Sequence, residues 1–426
     1  MSRIAYSLLF YLLTPLILVR LLLRSRQAPA YRNRWSERFG RFRVPADWQS
    51  SPGAIWVHAV SVGETMAAAP LIRLLLGRYP DRRLVVTTMT PTGSERVRAL
   101  FGDSVFHVYL PYDLPGAMAR LLGKLNPALL IIMETELWPN LLHQCRRAGC
   151  RTMVVNARLS GKSARGYRRL GPLTRGMLGE IDLIAAQAAP DRERFMALGA
   201  APDRVEVVGS LKFDIMPPPA ADLPPFFAAL VLLQRPILVA GSTREGEEEK
   251  VLLAFRQCLA ALPQLLLVLV PRHPERFDSV ARLCKEQGFN LVRRSRDESC
   301  DETTQVLLGD SMGEMWNYYA VGDLAFVGGS LVDTGCHNVL EPAALGIPVL
   351  IGPSRFNFET ISRQLQESGA LVIVADADEL ARQVLQLLDE PLRRQEMGTA
   401  GRRLVESNRG CLQRLAERID AQLTAS

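Results

Sequence analysis

Cysteine and histidine are both scarce. The seven cysteines, Cys145, Cys150, Cys258, Cys284, Cys300, Cys336 and Cys411, are odd in number and scattered over 426 residues. That pattern fits neither a disulfide framework nor a paired CxxC zinc site, and it favours a reducing compartment. The five histidines, His58, His107, His143, His273 and His337, show no HxxxH or HExxH spacing, so metal chemistry finds little support. The GxxxxGK[ST] phosphate loop is absent, as are short internal repeats and low-complexity tracts. Charged residues amount to 22% against 48% apolar, which excludes global disorder, because such a chain can bury enough apolar surface to offset its entropy. The length suggests about two to three domains, and the formal net charge is +7.

One long apolar run is present. Ile4 to Leu23 covers 20 residues, broken only by Tyr6, Ser7, Tyr11, Thr14, Pro15 and Arg20, and a run of that length is enough to span hydrocarbon. A cleaved signal peptide is disfavoured: Arg3 is the lone basic residue before the run, and no small-residue cleavage site follows it. Arg24, Arg26, Arg32, Arg34, Arg38, Arg41 and Arg43 come next, with Glu37 the one acid among them. By the positive-inside rule this flank stays cytoplasmic, with the N-terminus embedded in or across the bilayer, and it also attracts anionic head groups. Pro15 and Arg20 suit a helix lying in one leaflet as well as one that spans. The stretch Trp35-Ser36-Glu37-Arg38-Phe39-Gly40 reads as a juxtamembrane linker. Nucleic acid is not an expected partner, since the basic excess sits beside the apolar run and no nucleic-acid motif accompanies it.

From Ala54 onward, short apolar runs alternate with helical segments, as βα units feeding parallel sheets do. Strands are predicted at Ala54–Val60, Leu84–Thr88, Val105–Tyr109, Leu129–Met133, Thr152–Asn156, Leu183–Ala186 and Val205–Val208. A second series is predicted at Ile237–Ala240, Leu265–Val270, Val306–Leu308, Leu324–Val327, Val349–Ile351 and Leu371–Val374. Between the two lies Met216–Pro225, whose prolines stop helix and central strand alike. The pattern predicts an α/β chain of two Rossmann-like domains facing each other across a cleft, with the carboxyl ends of both sheets at one shared site.

The motifs sit at predicted strand ends. Ile55-Trp56-Val57-His58-Ala59-Val60-Ser61-Val62-Gly63-Glu64 runs from strand through turn into helix. Glu64 there is either a first-turn carboxylate favoured by the helix dipole or a general base at the cleft mouth. Glu134 and Glu136 follow the strand ending at Met133; they share one face if the strand continues, or cap the next helix if it turns. Gly241 and Ser242, in Ala240-Gly241-Ser242-Thr243-Arg244-Glu245-Gly246-Glu247, offer backbone N–H groups to a phosphate or serve as an ordinary helix cap. Arg272 and His273 follow another strand and suit an anion. Gly328-Gly329-Ser330 and then His337-Asn338-Val339-Leu340-Glu341 form strand, turn and helix, where Asn338 can orient phosphate or base contacts and Glu341 can accept from ribose hydroxyls or close a capping box. Asp376-Ala377-Asp378 looks like the DxD of metal-dependent sugar transferases but reads as a helix start.

These segments resemble the lipid A 3-deoxy-D-manno-octulosonic acid (Kdo) transferase family of Gram-negative bacteria over essentially the whole chain. The resemblance is carried by Ser61-Val62-Gly63-Glu64-Thr65, Thr87-Thr88-Met89-Thr90-Pro91-Thr92-Gly93, Met133-Glu134-Thr135-Glu136-Leu137-Trp138-Pro139-Asn140, Gly209-Ser210-Leu211-Lys212-Phe213-Asp214, Pro271-Arg272-His273-Pro274-Glu275-Arg276-Phe277, Met312-Gly313-Glu314 and His337-Asn338. It implies a GT-B fold with an N-terminal membrane-anchor helix. It further implies CMP-Kdo as donor substrate, a lipid A precursor (lipid IVA) as acceptor, and inner-membrane lipid as a partner at the cytoplasmic face. No cofactor and no metal are implied for the transfer. The implied domains are an anchor at 1–26, an acceptor domain at 27–216 and a CMP-sugar donor domain at 217–426. Glu64 matches the family's proton acceptor. Pro271, Arg272, Met312, Gly313, Glu314, Asn338, Val339, Leu340 and Glu341 match its CMP-binding segments. Gly241, Ser242, Lys212, Glu134, Glu136 and His337 are further expected phosphate or substrate contacts. Two departures are Cys336, where the family commonly has Gly, and Val339, where it often has Pro. A two-domain sugar-nucleotide epimerase and a non-catalytic nucleotide-sugar sensor are the rival readings.

Overall fold

The computed structural model describes residues 1–48, 52–219 and 222–424. The chain divides into two compact units, Met1–Asp214 with Arg409–Ser426, and Ile215–Asn408. In the first unit, β1 (Ala54–His58), β2 (Leu84–Thr88), β3 (Phe106–Tyr109), β4 (Pro127–Met133), β5 (Arg151–Ala157), β6 (Leu183–Ala186) and β7 (Val205–Val207) form one parallel sheet. Its order is β3-β2-β1-β4-β5-β6-β7.

The second unit has β8 (Ile237–Thr243), β9 (Leu266–Pro271), β10 (Leu291–Arg293), β11 (Val306–Leu308), β12 (Leu324–Val327), β13 (Val349–Ile351) and β14 (Leu371–Ile373). These are also parallel, in the order β10-β11-β9-β8-β12-β13-β14. Both sheets are doubly wound and Rossmann-like, as expected. The direction of winding reverses between β1 and β4 and between β8 and β12, and open α/β sheets take ligands at the carboxyl ends of such strand pairs.

Strand alternation explains the core. In β1, Ile55 and Val57 join a cluster with Leu71, Ile72 and Leu75 of the helix Val62–Arg78. Trp56 joins the opposite cluster with Leu121 and Leu141, and its indole N–H donates to Thr87 Oγ1 at 2.8 Å. Both faces are covered, so the strand reads as an unbroken apolar run.

Strand positions agree with expectation to within a few residues at each end, with two differences. β8 continues through Thr243 rather than stopping at Ala240. β10 was not predicted: it is three half-buried residues ending in an arginine, too short and too polar to stand out.

Two boundaries also differ. The helix Cys411–Thr424 belongs to the first unit, not to a donor domain running to 426. Its Cys411, Leu415, Ile419 and Leu423 recur every fourth residue and join the β1 cluster, where burying each aliphatic side chain contributes about 1.5–3 kcal/mol. Asp214 receives the Gly410 amide at 2.6 Å. The helix Arg3–Gln27 is likewise part of the first unit rather than a separate body. Ala220 and Ala221 of the expected linker lie outside the described residues.

The segment Trp35–Gly40 is docked rather than free. Its short 3-10 helix, Trp35–Phe39, places Glu37 to accept the Tyr109 amide at 2.9 Å. Arg34 donates to Ser94 Oγ at 3.0 Å and to the His107 carbonyl at 2.9 Å.

Candidate active site

At the β1/β4 reversal, the chain leaves β1 through Ala59 and Val60 and starts a helix at Val62, with Ser61 as N-cap. The Glu64 carboxylate accepts from the Val60 amide and from Ser61 Oγ, each at 2.9 Å, while the Glu64 amide reaches Ser61 Oγ at 3.4 Å. This is a reciprocal capping box. It fixes the carboxylate at the sheet's carboxyl edge and leaves lone pairs on both oxygens. Burial raises the Glu64 pKa most, the Val60 and Ser61 bonds oppose that rise, and the charge of Glu134 adds to it.

β4 ends at Met133, and Glu134 adopts a left-handed backbone with φ of +57°, its amide donating to the Val155 carbonyl at 2.9 Å. Neither expected geometry for the two acids is realised. The strand does not continue, and the helix Pro139–Arg147 has Trp138 at its N-cap with no side-chain cap bond. Glu136 instead sits near Glu64 and Glu134: its pKa is pushed up to about 7, by burial first and then by the Glu64 charge, with Glu134 adding to it. The structure therefore brings Glu64, Glu134 and Glu136 into one electrostatically coupled group. A non-glycine residue in a left-handed conformation costs on the order of 1–3 kcal/mol, and such strained positions cluster at active sites. Lys212 lies on the turn Leu211–Phe213 after β7, and Asn156 Oδ1 holds that turn through Ser210 Oγ at 3.2 Å and the Leu211 amide at 3.3 Å.

In the second unit, a cavity of about 230 Å³ opens at the carboxyl ends of β8 and β9. Ser242, Pro271, Arg272, Met312, Gly313, His337, Asn338 and Glu341 line it, together with Tyr318 and Tyr319. Asn338 organises the far wall: its Nδ2 donates to Glu341 Oε1 at 2.9 Å and its Oδ1 receives the Leu340 amide at 3.1 Å. That arrangement leaves Glu341 Oε2 without a bond to Asn338. A larger cavity of about 950 Å³ lies at the other end of the sheet, beside Ile237 and Asp323, and none of the motif residues lines it.

Residues 33–215 match the family model described as 3-deoxy-D-manno-octulosonic-acid transferase (kdotransferase), and residues 243–404 match glycosyl transferases group 1. The chain is 44% identical over 427 residues to the 3-deoxy-D-manno-octulosonic acid transferase of Haemophilus influenzae, covering 99% of each. This chain belongs to the Kdo transferase family. It is also 38% identical to the 3-deoxy-D-manno-octulosonic acid transferase of Bordetella pertussis, again over 99% of each chain. A solved glycosyltransferase from Rickettsia africae shares the fold, with a TM-score of 0.55 at 14% identity over 88% of this chain and 100% of that one. The chain is thus a glycosyltransferase of GT-B fold.

Not every residue expected in the donor site of this Kdo transferase lines the cavity. Gly241 lies within β8, and a Cβ there would come within 2.3 Å of Tyr319 Oη and 2.4 Å of Met315 Cε, so close helix packing accounts for the glycine. Glu314 turns to Arg294 at 3.0 Å and to Ser311. Val339 and Leu340 are buried in the core. Asp376 caps the helix Ala377–Asp389, as its sequence suggested, accepting the Glu379 amide at 2.9 Å. Among the described residues, no group of three His, Cys, Asp or Glu side chains is placed to hold a metal ion.

Two important residues escaped the sequence reading. The glycine-rich turn after β12 presents the amides of Gly329, Ser330 and Leu331, a ready anion nest. Its anion is internal: fully buried Glu247 accepts those three amides at 2.7, 2.9 and 2.8 Å, and the Arg244 amide at 3.1 Å. A Cβ on Gly329, where φ is +76°, would meet the Gly335 carbonyl at 2.5 Å. The other residue is Arg244. It follows directly on β8, beyond the strand end expected at Ala240. Its Nε donates to His337 Nε2 at 3.0 Å, and Nη1 reaches His273 Nε2. Neither Arg244 nor Arg272 forms a carboxylate ion pair within 4.0 Å among the described residues. Arg272 thus lines the cavity and Arg244 stands beside it through His337, with the Glu247 charge acting on Arg244 and Arg272 acting on Glu341 without a direct ion pair.

Proposed function

We propose that this chain moves Kdo from CMP-Kdo to a lipid A precursor, lipid IVA, with inversion at the anomeric carbon, at the cytoplasmic face of the bacterial inner membrane. The first unit takes the acceptor and the second takes the donor. Glu64 removes the proton from an acceptor hydroxyl as its oxygen bonds to the anomeric carbon of Kdo. The bond from that carbon to the CMP phosphate oxygen breaks, CMP departs with the electron pair, and the proton on Glu64 passes to solvent. Arg244 and Arg272 stabilise the phosphate charge that develops. Asn338 and Glu341 orient the ribose, with Ser242, Pro271, Met312, Gly313 and His337 completing the nucleotide site. Glu134, Glu136 and Lys212 contact the sugar or the acceptor.

The observation that carries this reading is the Glu64 carboxylate, held at the β1 carboxyl end by two 2.9 Å bonds yet with its pKa raised, as a base poised to take a proton requires. Incubation with CMP-Kdo and lipid IVA tests it. CMP release matched mole for mole by a lipid heavier by whole Kdo units is expected. CMP release without a heavier lipid, or binding with no turnover, would overturn it. The configuration of the new linkage, read by NMR, tests inversion.

A further inference from the structure

We infer that the tandem acids Glu247 and Glu248 are positioning residues for donor binding: they hold the three loops that follow β8, β9 and β12 in register, and so place Arg244, Arg272, His273 and His337. This rests on the donor reading of the second unit given above and adds to it two residues that touch no substrate.

Acids at a helix start are ordinary, because the dipole favours them, and such carboxylates usually face water. Glu247 and Glu248, which open the helix Glu248–Ala261, are both 0% exposed. Burying a carboxylate is costly unless hydrogen bonds or a cation compensate. Here the compensating groups come from the end of β8 and from the loops after β8, β9 and β12. Burial raises the Glu247 pKa, and the amides of Gly329, Leu331, Ser330 and Arg244 oppose that rise.

Glu247 joins the β8 loop to the β12 turn. Its Oε2 accepts the Arg244 amide and, from 82 residues away, the Gly329 amide, while Oε1 accepts the amides of Ser330 and Leu331. The approach is close: a Cβ on Gly328 would lie 2.8 Å from Glu247 Oε2 and 2.6 Å from the Ser242 carbonyl oxygen. The Gly328 carbonyl in turn accepts the His337 amide at 3.0 Å. One carboxylate therefore sets the backbone at both ends of the bond from Arg244 Nε to His337 Nε2.

Glu248 does the same for the β9 loop. Its Oε1 accepts the Thr243 hydroxyl at 2.9 Å and pairs with Arg276. The Arg276 amide donates to the His273 carbonyl, and the Arg272 amide to the Thr243 carbonyl, each at 3.0 Å. Thr243 and Arg276 thus fasten the segment that carries Arg272 and His273 from both sides. Arg244 completes the arrangement, since it contacts His337 from Nε and His273 from Nη1. A cation held by such supporting bonds has less freedom to lose when a phosphate binds, so the phosphate is bound more tightly.

Calorimetric titration of the full chain with CMP, well below its melting temperature, tests this. Glu247→Gln replaces one accepting oxygen by an NH2 group and should weaken CMP binding about tenfold. The discriminating measurement is a double-mutant cycle. In an Arg244→Ala background the same change should alter affinity by no more than about twofold, because its effect runs through Arg244. Glu248→Gln against Arg272→Ala forms a second cycle with the same expectation, and it carries the test alone if Glu247→Gln does not fold. Glu249→Gln, at the next and exposed position, should bind CMP as wild type does. Wild-type affinity in either buried-acid variant, or equal losses with and without the partner arginine, would overturn the inference and leave the donor reading intact. A matching loss in Glu249→Gln would also overturn it, since removal of any nearby charge would then suffice. A wild-type chain that binds no CMP would overturn the donor reading, and this inference with it.

Discussion

The Arg244 guanidinium donates from Nε to His337 Nε2 across 3.0 Å and turns Nη1 to His273 Nε2. Arginine has only donors, so the Arg244 Nε–H bond makes His337 Nε2 the acceptor. For His337, burial and then the charges of Arg244, Arg272 and His273 bring the pKa down to about 4. Two imidazoles thus brace a cation beside the nucleotide cavity without cancelling its charge.

Loss of that cation should weaken donor binding. Arg244→Ala and Arg272→Ala are each expected to lower CMP affinity about 10- to 100-fold, the loss of a charged hydrogen bond worth about 1.5–3 kcal/mol. Titration calorimetry reads this directly. Wild-type affinity in both variants would remove the pair from phosphate binding.

Glu64→Gln separates binding from chemistry. The amide can still accept within the capping box but cannot take a proton, so turnover should fall roughly 10²- to 10⁴-fold while CMP binds as before. Undiminished turnover would take Glu64 out of the role.

Glu341 offers a sugar-specific test. If Glu341 Oε2 receives ribose hydroxyls, wild type should prefer CMP to 2′-deoxy-CMP by about tenfold or more, and Glu341→Ala should erase most of that preference. A preference that survives the substitution would place ribose recognition elsewhere.

Glu247→Ala leaves three buried backbone amides and the half-buried Arg244 amide without their acceptor. A loss of about 3 kcal/mol or more is expected from the urea midpoint, and less for Glu247→Gln, whose carbonyl oxygen still accepts. A midpoint shift below about 1 kcal/mol would show that water replaces the carboxylate at little cost.

The pH dependence of stability has two opposed parts. Glu136 ionises near pH 7 when folded and near 4.3 when unfolded, so its stabilising contribution is complete below about 4.3 and is lost as the pH rises through 7. Glu136→Gln should therefore add about 2 kcal/mol at pH 8 and almost nothing at pH 4. His107 and His337 run the other way. Their pKa values are lowered to about 4, chiefly by burial, so their contribution is present above about 6.5 and lost as the pH falls through 4. Equal pH 8 to pH 4 differences in wild type and Glu136→Gln would remove Glu136 from the first part.

Legibility followed the range of the forces involved. Val306–Leu308 is only three residues long, yet an unbroken apolar triplet between turns identifies it as a strand. Leu291–Arg293, of equal length, stays hidden because an edge strand needs less apolar surface. Ser61 and Glu64 are three residues apart, so their capping box is a local pattern. Glu247 and Gly329 are 82 residues apart, and no local pattern in either segment announces that one fills the other.

Apolar periodicity and the proline stretch near 216–225 were enough for two doubly wound sheets, and the resemblance of contiguous motifs to a known family implied most of the cavity lining. These are short-range properties, carried by side-chain alternation and backbone limits along contiguous residues. Folding alone assigned the last helix to the first unit, closed the glycine-rich turn with Glu247, set Arg244 between two histidines and laid the N-terminal helix against Asn140. Each of those contacts joins residues distant along the chain, and their pairing depends on which buried groups end up with partners once the sheets have formed.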